Sequence, residues 1–295
     1  MAGLALPHEI APDTALPERF VRARNLFSDS TNRIHDDAVA RQHGFAGALV
    51  AGVTIYGYLA RVAVETWGIE WLRRGTATVR FARPIYDGDR LTLSGQIVGR
   101  SGRQDAGEAV VVIEARTPPG DVAATLTAGL AWGGPVLTPD PHGYPAAPLP
   151  TSHAPATPEA LGSLGSLGSP VLELDAPSLA RIADDLDDAA SLYRGPAGVL
   201  HPALLLRQAN RALSENVALG PWIHVSSDVA HCDVAQAGER LETRGRIARV
   251  YERKGRDWVD LDLLVVAGGA RPIARIHHTA IYRMPTPGAG EGSSR

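Results

Sequence analysis

Acids, hydroxyls, an amide and an imidazole crowd together at the start of FSDSTNRIHDDAVARQHGFAGALVAG, Phe27 to Gly52, just ahead of an apolar helical stretch. Asp29, Ser30, Asn32 and His35 are the side chains there with chemistry to offer. A histidine oriented by a neighbouring carboxylate or amide can pass a proton near neutral pH. A helix N-terminus adds backbone N–H groups that can bind a developing oxyanion. Removing a proton beside a thioester carbonyl, or adding water across the adjacent double bond, needs both parts. The same residues also suit a plain structural role, with His35 and the acids capping the helix DDAVARQHG and Asn32 making a turn.

The elements that must hold these residues occur twice. YDGDRLTLSGQIV (Tyr86 to Val98) matches QAGERLETRGRIA (Gln236 to Ala248): Gly88, Arg90, Leu91, Gly95 and Ile97 face Gly238, Arg240, Leu241, Gly245 and Ile247 at one constant offset, and Asp89 faces Glu239. Each copy follows an apolar helical stretch, GALVAGVTIYGYLARV in the first half and GVLHPALLLRQANRAL in the second. Each precedes strand-like runs, EAVVVIEART and VAATLTAGLAW, then WVDLDLLVVA and PIARIHHTAIYR. One unit repeated is an internal duplication. A helix apolar on most faces needs a sheet around it to be buried. The predicted fold class is therefore α+β, a double hotdog: two repeats of a long central helix wrapped by an antiparallel β-sheet. The predicted domains are residues 1–133, a linker at 134–170, a second unit at 171–285 and a disordered tail at 286–295. The linker is rich in Pro, Gly and Ser, includes LGSLGSLGS, and reads as a bridge without a core of its own.

The Phe27–Gly52 segment resembles the signature of the MaoC-like dehydratases and (R)-specific enoyl-CoA hydratases, a hotdog family. Asn32, Ile34, His35, Asp37, Phe45 and Gly52 fall in register with it, and YDGDRL is similar to the turn that family carries after the helix. The resemblance implies that an Asp and a His hold the water that adds to the β-carbon, while the backbone N–H at Gly52 polarises the thioester carbonyl. It also implies fatty-acid metabolism and an acyl-CoA or acyl-carrier-protein thioester as substrate. Two positions depart from the pattern. Arg33 stands where the family has Pro, and Ser30 stands where it has the catalytic Asp, with Asp29 one residue earlier. Either a one-residue bulge brings Asp29 into that role, or His35 works without it, or hydration has been lost. Asp37 reads as a residue that orients the loop.

The second half carries no such motif. Asp184, Asp185, Asp187 and Asp188 read as a solvated helix face or cap, His201 as a helix-entry residue, and of His277 and His278 in a strand at most one can face a core. The degenerate second half would help shape an acyl tunnel. Arg100 and Arg103 form an exposed turn that could touch a CoA phosphate. A net charge of -3 offers no attraction to nucleic acid or an anionic membrane. Arg61 and Glu65 interrupt the most apolar run, which therefore reads as a buried helix and not a membrane span. The N-terminus has no signal-peptide pattern, and Cys232 is the single cysteine. A reducing, cytoplasmic setting follows, with no metal and no cofactor expected. A homodimer is compatible with this reading, although the duplication already imitates one. Three functions compete: a hydratase or dehydratase of 2-enoyl and 3-hydroxyacyl thioesters, a hotdog thioesterase with Glu65 as the helix acid, and a non-catalytic acyl-thioester-binding subunit.

Overall fold

A computed structural model describes residues 11–26 and 30–284. Asp29 and the tail 286–295 lie outside the described residues. The first half runs β1 (Arg19–Arg22), α1 (Asp37–Gln42), α2 (Gly52–Trp67), α3 (Ile69–Arg74), β2 (Thr76–Phe81), β3 (Arg90–Gly102), β4 (Gly107–Thr117) and β5 (Asp121–Trp132). A connecting segment holds β6 (Ala154–Pro155) and α4 (Pro158–Ser163). The second half runs β7 (Val171–Glu173), α5 (Ala176–Asp185), α6 (Pro202–Ser214), β8 (Val217–Ala218), β9 (Ile223–His231), β10 (Arg240–Arg253), β11 (Arg256–Ala267) and β12 (Arg271–Arg283).

Ten strands form one sheet in the order β1-β3-β4-β5-β2-β9-β12-β11-β10-β7, so each half contributes five and the halves join edge to edge through β2 and β9. Residues 150 positions apart are structural equivalents, as the sequence match between Gly88 and Gly238 predicts. Both glycines sit at positive φ, +83° and +91°, where a β-carbon would be strained. Asp89 accepts from the Tyr86 N–H and Glu239 from the Gln236 N–H, closing the same turn twice. A bulge interrupts β3 after Ile97 and β10 after Ile247. At the central seam Thr78 pairs with Asp228, its own equivalent, and donates to the Asp228 carboxylate at 2.7 Å. A pseudo-twofold axis passes through that pair.

The α2 helix explains its own composition. Thirteen of its sixteen residues are buried, from Val53 to Trp67, so it needs apolar side chains on nearly every face. It lies against β3, β4 and β5 and packs on α6 across the seam. Among the described residues no helix is long and apolar enough to cross a membrane.

The connecting segment departs from the expected bare bridge. Leu161 and Leu167 of the LGS repeat are buried in the main core, and Tyr144 packs on Leu264 and Val266. The Leu167 N–H donates to the Gly245 carbonyl, and the Asn216 amide bonds both the N–H and the carbonyl of Gly168. Three leucines in the repeat provide apolar surface that a free tether would leave in water.

Candidate active site

His35 ends a short 3-10 turn, Arg33–His35, that Asn32 caps. Its Nδ1 is 2.7 Å from the Leu49 carbonyl oxygen, which can only accept, so Nδ1 carries the ring proton. The lone pair of the neutral ring is then on Nε2. Burial lowers the His35 pKa below its ordinary 6.5, opposed by the bond to Leu49, so the ring is neutral at pH 7. Asn25 braces the turn by donating to the His35 carbonyl at 3.0 Å. Asp37 orients the following loop by accepting from the Ala48 N–H at 2.7 Å.

The helix α2 opens at Gly52 with no side-chain cap; the Thr54 N–H turns back to the Ala51 carbonyl at 2.9 Å, and the Gly52 and Val53 N–H groups precede the first intrahelical bonds. Glycine is required there by close approach: a β-carbon would come within 2.9 Å of the Phe81 ring and 3.0 Å of His224 Nδ1. His35, Asn32 and Gly52 all line one cavity of about 460 Å³. Its inner wall is apolar, with Ile34, Val50 and Ile55, and it also takes in Trp222 and His224 from the second half. Exposed Arg83, Arg253, Lys254 and Arg256 stand at its rim beside Trp258.

The four candidate side chains fare differently. His35 reaches the cavity, and Gly52 lines it too. Asn32 also lines it, but both ends of its amide are used: Nδ2 donates to the Trp222 carbonyl at 3.0 Å, and Oδ1 accepts from the Trp222 N–H at 3.2 Å. This stitches the His35 loop to the second half. The Ser30 hydroxyl donates to the Asn32 carbonyl at 3.2 Å and does not line the cavity. Asp29 lies outside the described residues. Glu65, the helix acid of the thioesterase reading, is bound by Arg19 and Arg61 and is absent from the cavity wall.

Two further expectations change. Asp188 is not solvated: it is 3% exposed, with one carboxylate oxygen 3.5 Å from His201 Nε2. His201 itself caps α6, its Nδ1 accepting from the Ala203 N–H at 3.1 Å. Arg100 and Arg103 do not line the cavity; apart from Arg83, the cations that do come from the equivalent hairpin of the other half, Arg253 standing 150 residues after Arg103. The Arg253–Arg256 hairpin thus crosses from the second half to the first unit's site. His278 is fully buried and His277 exposed, as strand alternation requires. At the place equivalent to the cavity, Pro202 replaces Gly52, His231 replaces Phe81 and Leu72 replaces Trp222, and only about 10 Å³ of space remains.

No protein-family model matches the sequence, and no curated protein does. Solved structures do match. A Chloroflexus aurantiacus J-10-fl protein named as a MaoC domain dehydratase superposes with a TM-score of 0.68 at 12% identity, over 97% of this chain and 99% of its own. A conserved hypothetical protein of Mycobacterium tuberculosis, described as having a double hotdog fold, gives 0.67 at 17% identity, over 95% and 99%. The fold is a double hotdog. A Lactobacillus plantarum protein named as an oleoyl thioesterase gives 0.52 at 10% identity, over 93% and 99%. The double hotdog thus serves proteins named for two kinds of chemistry, and the choice between them rests on the site.

Proposed function

We propose that this double hotdog is a hydratase or dehydratase acting on 2-enoyl and 3-hydroxyacyl thioesters. The observation that carries this reading is one cavity holding both a neutral, oriented imidazole and an open helix N-terminus. In the hydration direction, His35 Nε2 takes a proton from water as the hydroxyl adds to the β-carbon. Negative charge moves onto the thioester oxygen, where the Gly52 N–H receives it. The proton then passes to the α-carbon, leaving the 3-hydroxyacyl thioester and a neutral ring. Asp29 is proposed as the acidic partner of His35, on sequence grounds. Asn32 holds the loop in place through Trp222.

The cationic rim supports a phosphate-bearing carrier for the acyl group, coenzyme A or a carrier protein's phosphopantetheine. In this reading each half is a sheet curled round its long helix. The first half, to residue 133, supplies the reactive groups, and the second, from residue 171, supplies a wall and the rim. Incubation with crotonyl-CoA tests it. Loss of enoyl absorbance without release of thiol is the expected result; thiol release would indicate a thioesterase, and neither change a binding subunit.

A further inference from the structure

His224 opens the second-half strand that faces the α2 N-terminus, and the proposed reaction above makes no use of it. It is 7% exposed and lines the same cavity as His35 and Gly52. Its two ring nitrogens have different fates. Nε2 lies 2.8 Å from the Ser227 hydroxyl, which lies 3.0 Å from His278 Nδ1. Nδ1 is buried with no hydrogen-bond partner, and it is the atom a β-carbon on Gly52 would meet at 3.0 Å. A buried polar atom left unpaired costs stability, and here it sits beside the open helix start.

The fold does not need this polar chain. Ser227 and His278 face each other across β9 and β12, and their equivalents Ala77 and Ala128 face each other across β2 and β5. Alanine makes the same strand pairing with no polar group to satisfy. The histidine and serine therefore occur on the copy of this strand pair that carries His224, and not on the other.

We infer that His224 is a catalytic residue whose Nδ1–H donates to the thioester carbonyl oxygen alongside the Gly52 N–H, and that Ser227 and His278 set its tautomer. This rests on the thioester reading above. A hydroxyl has one proton to give. Two proton orders satisfy this chain equally; in the one inferred here Ser227 donates to His224 Nε2 and accepts from His278 Nδ1–H, which leaves the His224 ring proton on Nδ1, beside Gly52, where a thioester carbonyl would accept it. Burial and the adjacent His278 push the His224 pKa well below 6.5, outweighing an opposing bond to the Ser226 backbone, so the ring is a neutral imidazole. A neutral ring stabilises the enolate oxygen without surrendering its proton to it.

The test uses the full-length protein and 2,4-hexadienoyl-CoA, whose absorbance moves to longer wavelength when its carbonyl is polarised. Saturated butyryl-CoA, titrated calorimetrically, reports binding alone, and thermal unfolding reports folding. His224→Phe should still bind butyryl-CoA, lose the red shift, and hydrate crotonyl-CoA at least about 100-fold more slowly. His224→Asn, which keeps an N–H near the Nδ1 position, should retain most of the red shift. A packing role alone predicts the reverse order, with Phe better tolerated than Asn. Should His224→Phe not fold, Ser227→Ala decides: a reduced red shift supports the inference, and a wild-type shift overturns it. An unchanged shift and rate in a folded His224→Phe also overturn it. A wild-type protein that red-shifts the dienoyl thioester without hydrating crotonyl-CoA refutes the hydratase reading and leaves His224 decided by the shift. Failure of the wild type to bind any thioester removes both.

Discussion

The bond to the Leu49 carbonyl fixes which His35 nitrogen can act in the proposed reaction. With Nδ1–H committed to the Leu49 carbonyl, the base of the neutral ring is Nε2, and His35→Ala removes it. Loss of a general acid–base group costs about 100- to 10,000-fold. We expect kcat/KM for crotonyl-CoA to fall by that order in His35→Ala, with Asp29→Asn following it. Ser30→Ala should cost little, because that hydroxyl closes a local turn away from the cavity. The pH profile gives an independent check. A base must be deprotonated to act, and burial lowers the His35 pKa below 6.5. Activity should therefore hold from pH 7 down past 6.5 and then fall about tenfold per pH unit. A limb beginning above 6.5 would show that the ring is solvated in the working enzyme. At the rim, Arg253→Ala with Lys254→Ala and Arg256→Ala should raise KM for a CoA thioester with kcat held, and flatten the rise of KM with salt. An equal effect on a short acyl-pantetheine lacking the nucleotide would place the loss elsewhere.

Elements carry two lessons that single residues do not. The linker's composition pointed to a free tether, and most of its residues do make irregular structure. Its leucines decide otherwise, since Leu161 is 0% and Leu167 1% exposed. Truncating a fully buried leucine costs about 2–5 kcal/mol. Leu161→Ala and Leu167→Ala should each lower stability by that amount in urea titration, with deletion of one LGS unit costing at least as much. Curves superimposable on wild type would return the segment to the status of a tether. The second lesson concerns β2 and β9. Neither stood out in the sequence, since TATVRF is short and IHVSSDVAH is polar for a central strand. Yet they form the seam, and β9 brings His224 to the cavity with Ser227 bonded behind it. The duplication held a usable signal: polar Ser227 and His278 at positions where the first copy has Ala77 and Ala128.

The molecule as a whole buries an unusual set of histidines. Burial lowers His231 to about 4, and burial with the charge of His277 lowers His278 to about 3, against 6.5 for the exposed ring. Between those limits the unfolded chain binds protons that the folded protein refuses, so stability rises with pH through this window and is lost as pH falls from 6.5 towards 4. Thermal unfolding should show Tm level above pH 7 and falling steadily below 6.5. A Tm that stays level down to pH 4.5 would mean that these rings take up protons in the native state. Acid should thus unfold the protein at a pH not far below the one that silences His35, and the two effects are separable by assaying brief acid exposure after return to pH 7.

Some of this protein was legible in the chain alone. Periodicity and the constant offset determined two helix-and-sheet units, because burying a helix on nearly all sides demands apolar residues on nearly all faces, and a duplicated unit repeats its turn glycines. The string from Asn32 to Gly52 located the imidazole and the helix start, because both lie close together in sequence and each is set by local geometry. Only the tertiary structure decided what surrounds them. The pseudo-twofold axis brings Trp222, His224 and the Arg253–Arg256 hairpin from more than 150 residues away to the first-half cavity, while Pro202 and His231 close the equivalent place in the second. Local periodicity describes how each strand folds on its own unit. Which residues of one unit reach the other unit's site follows from the way β2 and β9 join.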